Sequence, residues 1–187
     1  MACIYIVPIE TSARFWREPL EAGIRHAFGM ETRFVDDGLI KLAKTFDSSR
    51  DQYHSSGLLL QLLENPSAGA AKILGVVEVD LFIPILTFVF GEAQLDGIAS
   101  IVSLHRLNNK FYGLPEDQKL LTERLVKEAI HELGHTFGLV HCANPVCVLH
   151  ASTYAEDIDQ KSDEFCGQCQ EELLITLKEL RFGKGAR

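Results

Sequence analysis

Residues 131–142 read His131-Glu132-Leu133-Gly134-His135-Thr136-Phe137-Gly138-Leu139-Val140-His141-Cys142. His131 and His135 are four residues apart, so on a helix both imidazoles project from one face, one turn from each other. Two rings so placed can share a Zn²⁺ ion at about 2.0–2.1 Å. Gly138 adopts positive φ at little cost, which lets the chain leave the helix and bring His141 to the same ion from outside it. Three neutral nitrogen ligands leave a fourth position for water, the pattern of a catalytic zinc. Glu132 follows the first ligand and is expected to lie beside the ion without ligating it. From there it can take a proton from the water and pass it to a leaving amine. The competing reading is a helix that carries surface histidines. A chance His-Glu-x-x-His in this composition has odds of roughly one in 50, and Gly138 and His141 at fixed offsets lower them a few hundredfold.

Downstream, Cys142 and Cys147 form one close pair, and Cys166 and Cys169 form a Cys-x-x-Cys pair after a gap of 18 residues. Two pairs separated by a loop match structural zinc spacing, and four thiolates would close the coordination sphere against water. Two disulfides, an iron–sulfur cluster and a redox Cys-x-x-Cys are the alternatives. Disulfides are disfavoured in a reducing compartment. A redox pair normally opens a helix after a strand, and no strand pattern precedes Cys166. Cys3 stands apart and is expected to pack as a small hydrophobe in a first strand.

Upstream, the chain alternates. Strands are expected at Cys3–Val7, Thr32–Val35, Lys72–Val79, Leu86–Phe90 and Ile98–Leu104. A helix is expected from Thr11 or Ser12 to about Ala27. Another is expected over Asp51–Glu64, closed by Asn65-Pro66. The long helix should start at Pro115 and run to about Phe137, with Leu121, Leu125, Ala129 and Leu133 at four-residue steps. The segment from Cys142 to Cys169 shows little periodicity. A last helix is expected at about Glu171–Arg181, stopped by Gly183. The chain has 187 residues, 47% hydrophobic and 24% charged, which excludes a disordered chain, a collagen-like repeat and a coiled coil. Eighteen basic against 26 acidic residues argue against a nucleic-acid surface. The longest apolar stretch, Leu81–Phe90, is about half a membrane span. The first eight residues lack the features of an export signal. These features predict a soluble, cytoplasmic protein acting as a monomer, with no nucleic acid and no membrane among its partners.

The combined pattern is similar to the archaemetzincin family of zinc metallopeptidases. His131-Glu132-x-x-His135-x-x-Gly138-x-x-His141-Cys142-x₄-Cys147 and Cys166-x-x-Cys169 carry the resemblance. Weaker likeness runs through Val79-Asp80-Leu81, Phe88–Ala93 and Ser103–Leu107. The resemblance implies an α/β (α+β) metzincin-type zincin in which one catalytic domain spans 1–187. An N-terminal lobe, 1–141, would hold a twisted five-strand mixed sheet, a backing helix and the active-site helix. A C-terminal lobe, 142–187, would hold the second zinc and the terminal helix. The resemblance also implies two Zn²⁺ per chain. One is catalytic, on His131, His135 and His141, with Glu132 as base. The other is structural, on Cys142, Cys147, Cys166 and Cys169. The strand above the cleft, about Leu86–Glu92, would align a peptide or small protein substrate by strand addition. Metzincins place a Met in a tight turn beneath the catalytic zinc, and the matching position here is Leu149. The two side chains have similar volume, and such swaps usually cost under about 1.5 kcal/mol.

Other residues carry weaker claims. His150 could reach substrate or sit exposed on a loop. Tyr154 could polarise a scissile carbonyl. Asp80 could line the cleft or start a turn. The run Glu156–Glu164, with five acids, reads as a solvated loop or an acidic rim. The expected activity is hydrolysis of peptide bonds by a zinc-held water activated by Glu132. The alternative is a zinc-bearing peptide-binding module with little or no turnover.

Overall fold

A computed structural model describes residues 2–36, 38–64 and 70–182, with the side chains of 181 and 182 left out. The chain runs β1 (Cys3–Pro8), α1 (Arg17–Phe28), β2 (Glu31–Phe34), β3 (Phe46–Asp47), β4 (Gln52–His54), α2 (Ser55–Glu64) and β5 (Ala70–Val77). It continues through β6 (Leu81–Phe82), β7 (Gly91–Ala93), β8 (Ala99–Ser103), α3 (Gln118–Thr136), α4 (Ala155–Gln160) and α5 (Gly167–Phe182). The main sheet has five strands in the order β2-β1-β5-β8-β7, all parallel except the edge strand β7. It is the expected mixed sheet of an α/β fold.

Both faces of that sheet are covered, which explains why its central strands are almost wholly apolar. Leu74 and Val76 of β5 join Ile4 and Ile6 in a core with α1 and α3. The alternate residues Ile73 and Val77 turn to the other face, against Leu58, Leu59 and Leu62 of α2. The first core does not stop at His141: Val148, Leu149, Ile158, Phe165, Leu173 and Leu177 belong to the same cluster as Leu125, Ala129 and Leu133. Cys3 is buried in β1, as its neighbours predict.

Several boundaries differ from expectation, each for a local reason. Helix α1 starts at Arg17 because residues 11–13 are engaged elsewhere: Thr11 Oγ1 and the Ala13 amide both donate to the Glu78 carboxylate. Pro19 then falls in the first turn, where its missing N–H is not needed. Residues 52–54 form β4 rather than the start of α2, and Asp51, with φ 54°, makes the break. Together with β3 and β6, β4 builds a small second sheet that the sequence did not suggest. Asp117, not Pro115, opens α3, because its Oδ1 accepts from the Leu120 amide at 2.9 Å. Helix α5 begins at Gly167, so Cys169 lies in its first turn rather than ahead of it. Asn65-Pro66 and Gly183 lie outside the described residues.

The expected strand over 86–90, and the longer cleft strand over Leu86–Glu92, contract to three residues, Gly91–Ala93. Residues 83–90 instead form a loop whose carbonyls meet side chains. Arg50 Nη2 donates to Leu86 O at 2.9 Å and Thr87 O at 3.0 Å, and Gln52 Nε2 donates to Thr87 O at 3.0 Å. A single antiparallel bridge, Leu81–Val89, ties the loop to β6.

Candidate active site

The last turns of α3 carry His131, Glu132 and His135. Gly138, at φ 86°, sends the chain back past the helix end. His141 arrives beside the first two rings, with centroids 5.2 Å from His131 and 4.9 Å from His135. One ring nitrogen from each histidine falls in a group whose members lie within 4.8 Å of one another. Burial grades across the group, from His131 inside to His141 at the surface.

The hydrogen bonds show what this group can hold. His131 Nδ1 lies 2.8 Å from Val148 O, and His135 Nδ1 lies 2.7 Å from Leu139 O. A carbonyl oxygen only accepts, so each Nδ1 carries the hydrogen and each Nε2 presents a lone pair. Those two Nε2 atoms face each other at 3.1 Å. Two lone pairs at that distance repel unless a cation lies between them. Protonation is not the remedy, because burial, with help from Lys161, lowers the pKa of His131 and His135. Burial and Lys161 also lower that of His141. A metal ion fits: ligands at about 2.0–2.1 Å in tetrahedral array stand about 3.3 Å apart.

Glu132 is 6% exposed and faces a cleft of about 420 Å³ that the three histidines line. The edge strand presses against it. A Cβ at Gly91 would lie 2.6 Å from Glu132 Cγ and 2.8 Å from Oε1, so only glycine leaves the carboxylate its place. Burial, and then the nearby Glu128, push the Glu132 carboxyl well above its ordinary value. Glu128, one turn earlier on α3, also lines the cleft, and Lys161 Nζ lies 2.8 Å from its Oε1.

The four cysteines also converge. Their sulfurs lie within 4.8 Å of one another, and Cys142 Sγ is 3.7 Å from Cys166 Sγ. No disulfide joins them. A bonded pair would stand at about 2.05 Å, whereas four thiolates around zinc stand about 3.8 Å apart. The Asn144 amide donates to Cys142 Sγ and the Cys166 amide to Cys147 Sγ, each at 3.4 Å. Amide and thiol donors at Cys169 help bring the Cys166 thiol down to about 7, while burial raises Cys147 and Cys169.

In the acidic run Glu156, Asp159, Asp163 and Glu164 are exposed, as expected, but the segment is not all loop. Part of it is α4, clamped to α3 by three side chains spaced along one face of that helix. Arg124 makes a two-pronged pair with Asp159, 2.7 Å on each prong. Lys127 Nζ donates to Ile158 O at 3.0 Å, and Glu128 takes Lys161. Lys161, buried at 2% exposure, also donates to His150 O at 3.1 Å. His150 is not in the cleft wall; its Nδ1 meets Cys142 O at 2.9 Å and holds the floor turn to the ligand segment. Tyr154 is 65% exposed and outside the cleft lining. Asp80 lies behind the rim loop in a two-pronged pair with Arg106, at 2.6 and 2.7 Å. Sequence reading singled out neither Lys161 nor Glu128 nor Gly91. Glu128 had a signal, four residues before Glu132 on the same helical face. The other two depend on contacts made across the fold.

Comparison with known proteins agrees with this geometry. Residues 64–174 match peptidase family M54. The archaemetzincin of Pyrococcus furiosus is 45% identical over 160 residues, covering 84% of this chain and 81% of its own. The structure of a zinc-dependent peptidase from Methanocorpusculum labreanum superposes with a TM-score of 0.81 at 33% identity, covering 91% of this chain and 99% of that one. Archaemetzincin from Methanopyrus kandleri also superposes at 0.81, with 31% identity over 95% of this chain and 96% of its own. Fold and site thus define a zinc metallopeptidase, which selects the hydrolase over a binding module without turnover. The chain belongs to peptidase family M54.

Proposed function

We propose that the catalytic zinc is held by His131, His135 and His141 and that Glu132 is the general base for hydrolysis of peptide bonds. The observation that carries this reading is the pair of Nε2 lone pairs facing each other at 3.1 Å beside a buried carboxylate. Zinc bound there supplies Lewis-acid chemistry, lowering the pKa of water and polarising a carbonyl oxygen. The chain's own residues do the rest. Val148 O and Leu139 O orient the rings through their Nδ1 hydrogens. A cation opposite Glu132 offsets the upward push of burial and keeps its carboxylate ionised. That carboxylate takes the proton of the attacking water and returns it to the leaving nitrogen. The short strand β7 offers its backbone to an extended peptide along the upper wall.

The second centre, Cys142, Cys147, Cys166 and Cys169, is a structural zinc site, which makes two zincs per chain. The chain works as one catalytic unit in two lobes, 1–141 and 142–187; the apolar core that runs through both supports this. Among the described residues no helix is long and apolar enough to cross a membrane. We place the protein in the cytoplasm as a monomer acting on peptides or small proteins, with neither nucleic acid nor membrane as a partner. Metal analysis of the purified protein, with hydrolysis of a mixed peptide library by wild type and Glu132→Ala, tests the reading. Two zincs per chain and cleavage lost in the variant are expected. One zinc, iron at the cysteines or an active variant would overturn it.

A further inference from the structure

Helix α3 ends at Thr136, one residue past His135, and the last carbonyls of a helix need partners from outside it. His135 O accepts from the Gly138 amide at 2.9 Å and from the Asp96 amide at 3.0 Å. Thr136 O accepts from Lys72 Nζ at 2.6 Å, and the same ammonium donates to Gly97 O at 2.6 Å. Asp96 and Gly97 belong to the turn between β7 and β8. One turn and one lysine thus meet two successive carbonyls at the end of the helix that carries the histidines.

Neither contact comes without cost. Lys72 is only 6% exposed. It lies on β5 in step with Leu74 and Val76, the residues that pack in the core with α1 and α3. A buried ammonium is unfavourable unless it is partnered. Here two carbonyls take its hydrogens, and the Phe137 ring lies 4.6 Å from Nζ. Burial lowers the pKa of Lys72 to about 8, so the charge persists at neutral pH. Asp96 holds φ at 51°, in the left-handed region that residues other than glycine rarely adopt.

Short links carry this clamp to the histidines. The Leu139 amide donates to Gly134 O at 3.2 Å, and Leu139 O aims the His135 ring through Nδ1 at 2.7 Å. At the other end of β7, Gly91 leaves the room that Glu132 occupies. The β7–β8 hairpin therefore touches the helix twice, beside Glu132 and at His135, and Lys72 locks the second contact. We propose that Lys72 is a positioning residue for the histidine site: by joining Gly97 O to Thr136 O it fixes the helix end, and with it the place of His135 relative to His131 and His141. The assignment rests on the reading of the three histidines as zinc ligands.

The experiment follows zinc release to a chelator from zinc-loaded wild type and Lys72→Met, with His141→Ala marking which release belongs to the cysteines. Peptide hydrolysis and Tm are measured in parallel. Lys72→Met fills the same space but cannot donate. It should raise the zinc Kd of the histidine site by about tenfold or more and leave that of the cysteine site unchanged. Its kcat at saturating zinc should fall by about tenfold while KM stays within about threefold. A lower Tm with the histidine-site Kd and kcat unchanged marks a lysine that only stabilises the fold, and overturns the proposal. So does equal weakening of both zinc sites. If Lys72→Met does not fold, Lys72→Gln decides: one bond shorter and uncharged, it cannot span both carbonyls, and an unchanged histidine-site Kd in it overturns the proposal too. Wild type that holds no zinc on its histidines would instead defeat the reading of the site, and with it the role of Lys72.

Discussion

The two ligand clusters sit side by side in the chain, His141 next to Cys142, yet they are built in opposite ways. The histidine group takes much of its geometry from a regular element. Two members ride on a helix anchored in the main core, and backbone carbonyls aim their rings. The cysteine group draws on a stretch with little periodicity: a turn at 142–147, a loop at 166 and the first turn of α5. Backbone hydrogen bonds between them, from the Cys142 amide to Leu149 O and from the Val148 amide to Glu164 O, each at 3.0 Å, and the burial of Cys147 and Cys169 in the main core hold these parts together. The lesson is that a site whose ligands are prepositioned can spare an open coordination position for chemistry. A closed set of four thiolates drawn from separate segments leaves no such position, and metal bound there contributes folding energy.

The largest expected effect tests that contrast directly. Cys166→Ser should lose the zinc of the cysteine site and lower Tm by at least about 10 °C, while His141→Ala shifts it by no more than about 4 °C. Calorimetry of the two variants with metal analysis decides it. Equal shifts would break the distinction. Next comes chemistry without structure: Glu132→Gln should bind metal as wild type does and cleave at least about a hundredfold more slowly. Loss of metal in that variant would make Glu132 a ligand and redraw the histidine site.

The floor turn sharpens the comparison, because the Leu149 side chain packs in the core against Gly134 of α3 while its carbonyl accepts from the Cys142 amide at 3.0 Å. Leu149→Ala should cost about 2–5 kcal/mol, and Leu149→Met under about 1.5 kcal/mol, both measured by denaturant unfolding. A Met variant as damaged as the Ala variant would mean that shape, not volume, governs the floor. The smallest effect is a control at a residue outside both clusters. Burial pushes the Asp80 carboxyl up, but its hydrogen bonds with Arg106 and Gln52 outweigh this and leave it below its usual range. A depressed carboxyl stabilises the fold above its unfolded pKa of about 3.9 and loses that contribution as pH falls through its lower folded value. The Tm gap between wild type and Asp80→Asn should therefore be full near pH 6 and shrink below about pH 4.

Ligand spacing was legible in the residues themselves because it is a local property. A four-residue step on a helix places two rings on one face whatever surrounds it, and a glycine at a helix end opens the return path. The central strands were legible for a related reason. Lys72–Val79 alternates and is rich in branched residues, with the apolar stretch Ile73–Val77 inside it, and the structure shifts the bounds of the strand by only two residues, to Ala70–Val77. The strand expected over 86–90 failed because hydrophobicity says nothing about the partner of a carbonyl. Arg50 and Gln52, more than thirty residues away, took that place.

The acidic run held in part: Glu156, Asp159, Asp163 and Glu164 are exposed, as its charge suggested, but residues 155–160 form a helix held to α3 by Arg124, which pairs with Asp159, and by Lys127, which donates to Ile158 O. Composition and spacing thus pointed to the class of chemistry and singled out both groups of side chains that converge, the three histidines and the four cysteines. Tertiary structure alone decided the room that Gly91 leaves for Glu132 and the clamp of α4 onto α3. Each depends on segments distant in sequence meeting at ångström separations, and no pattern along one segment encodes its distance to another.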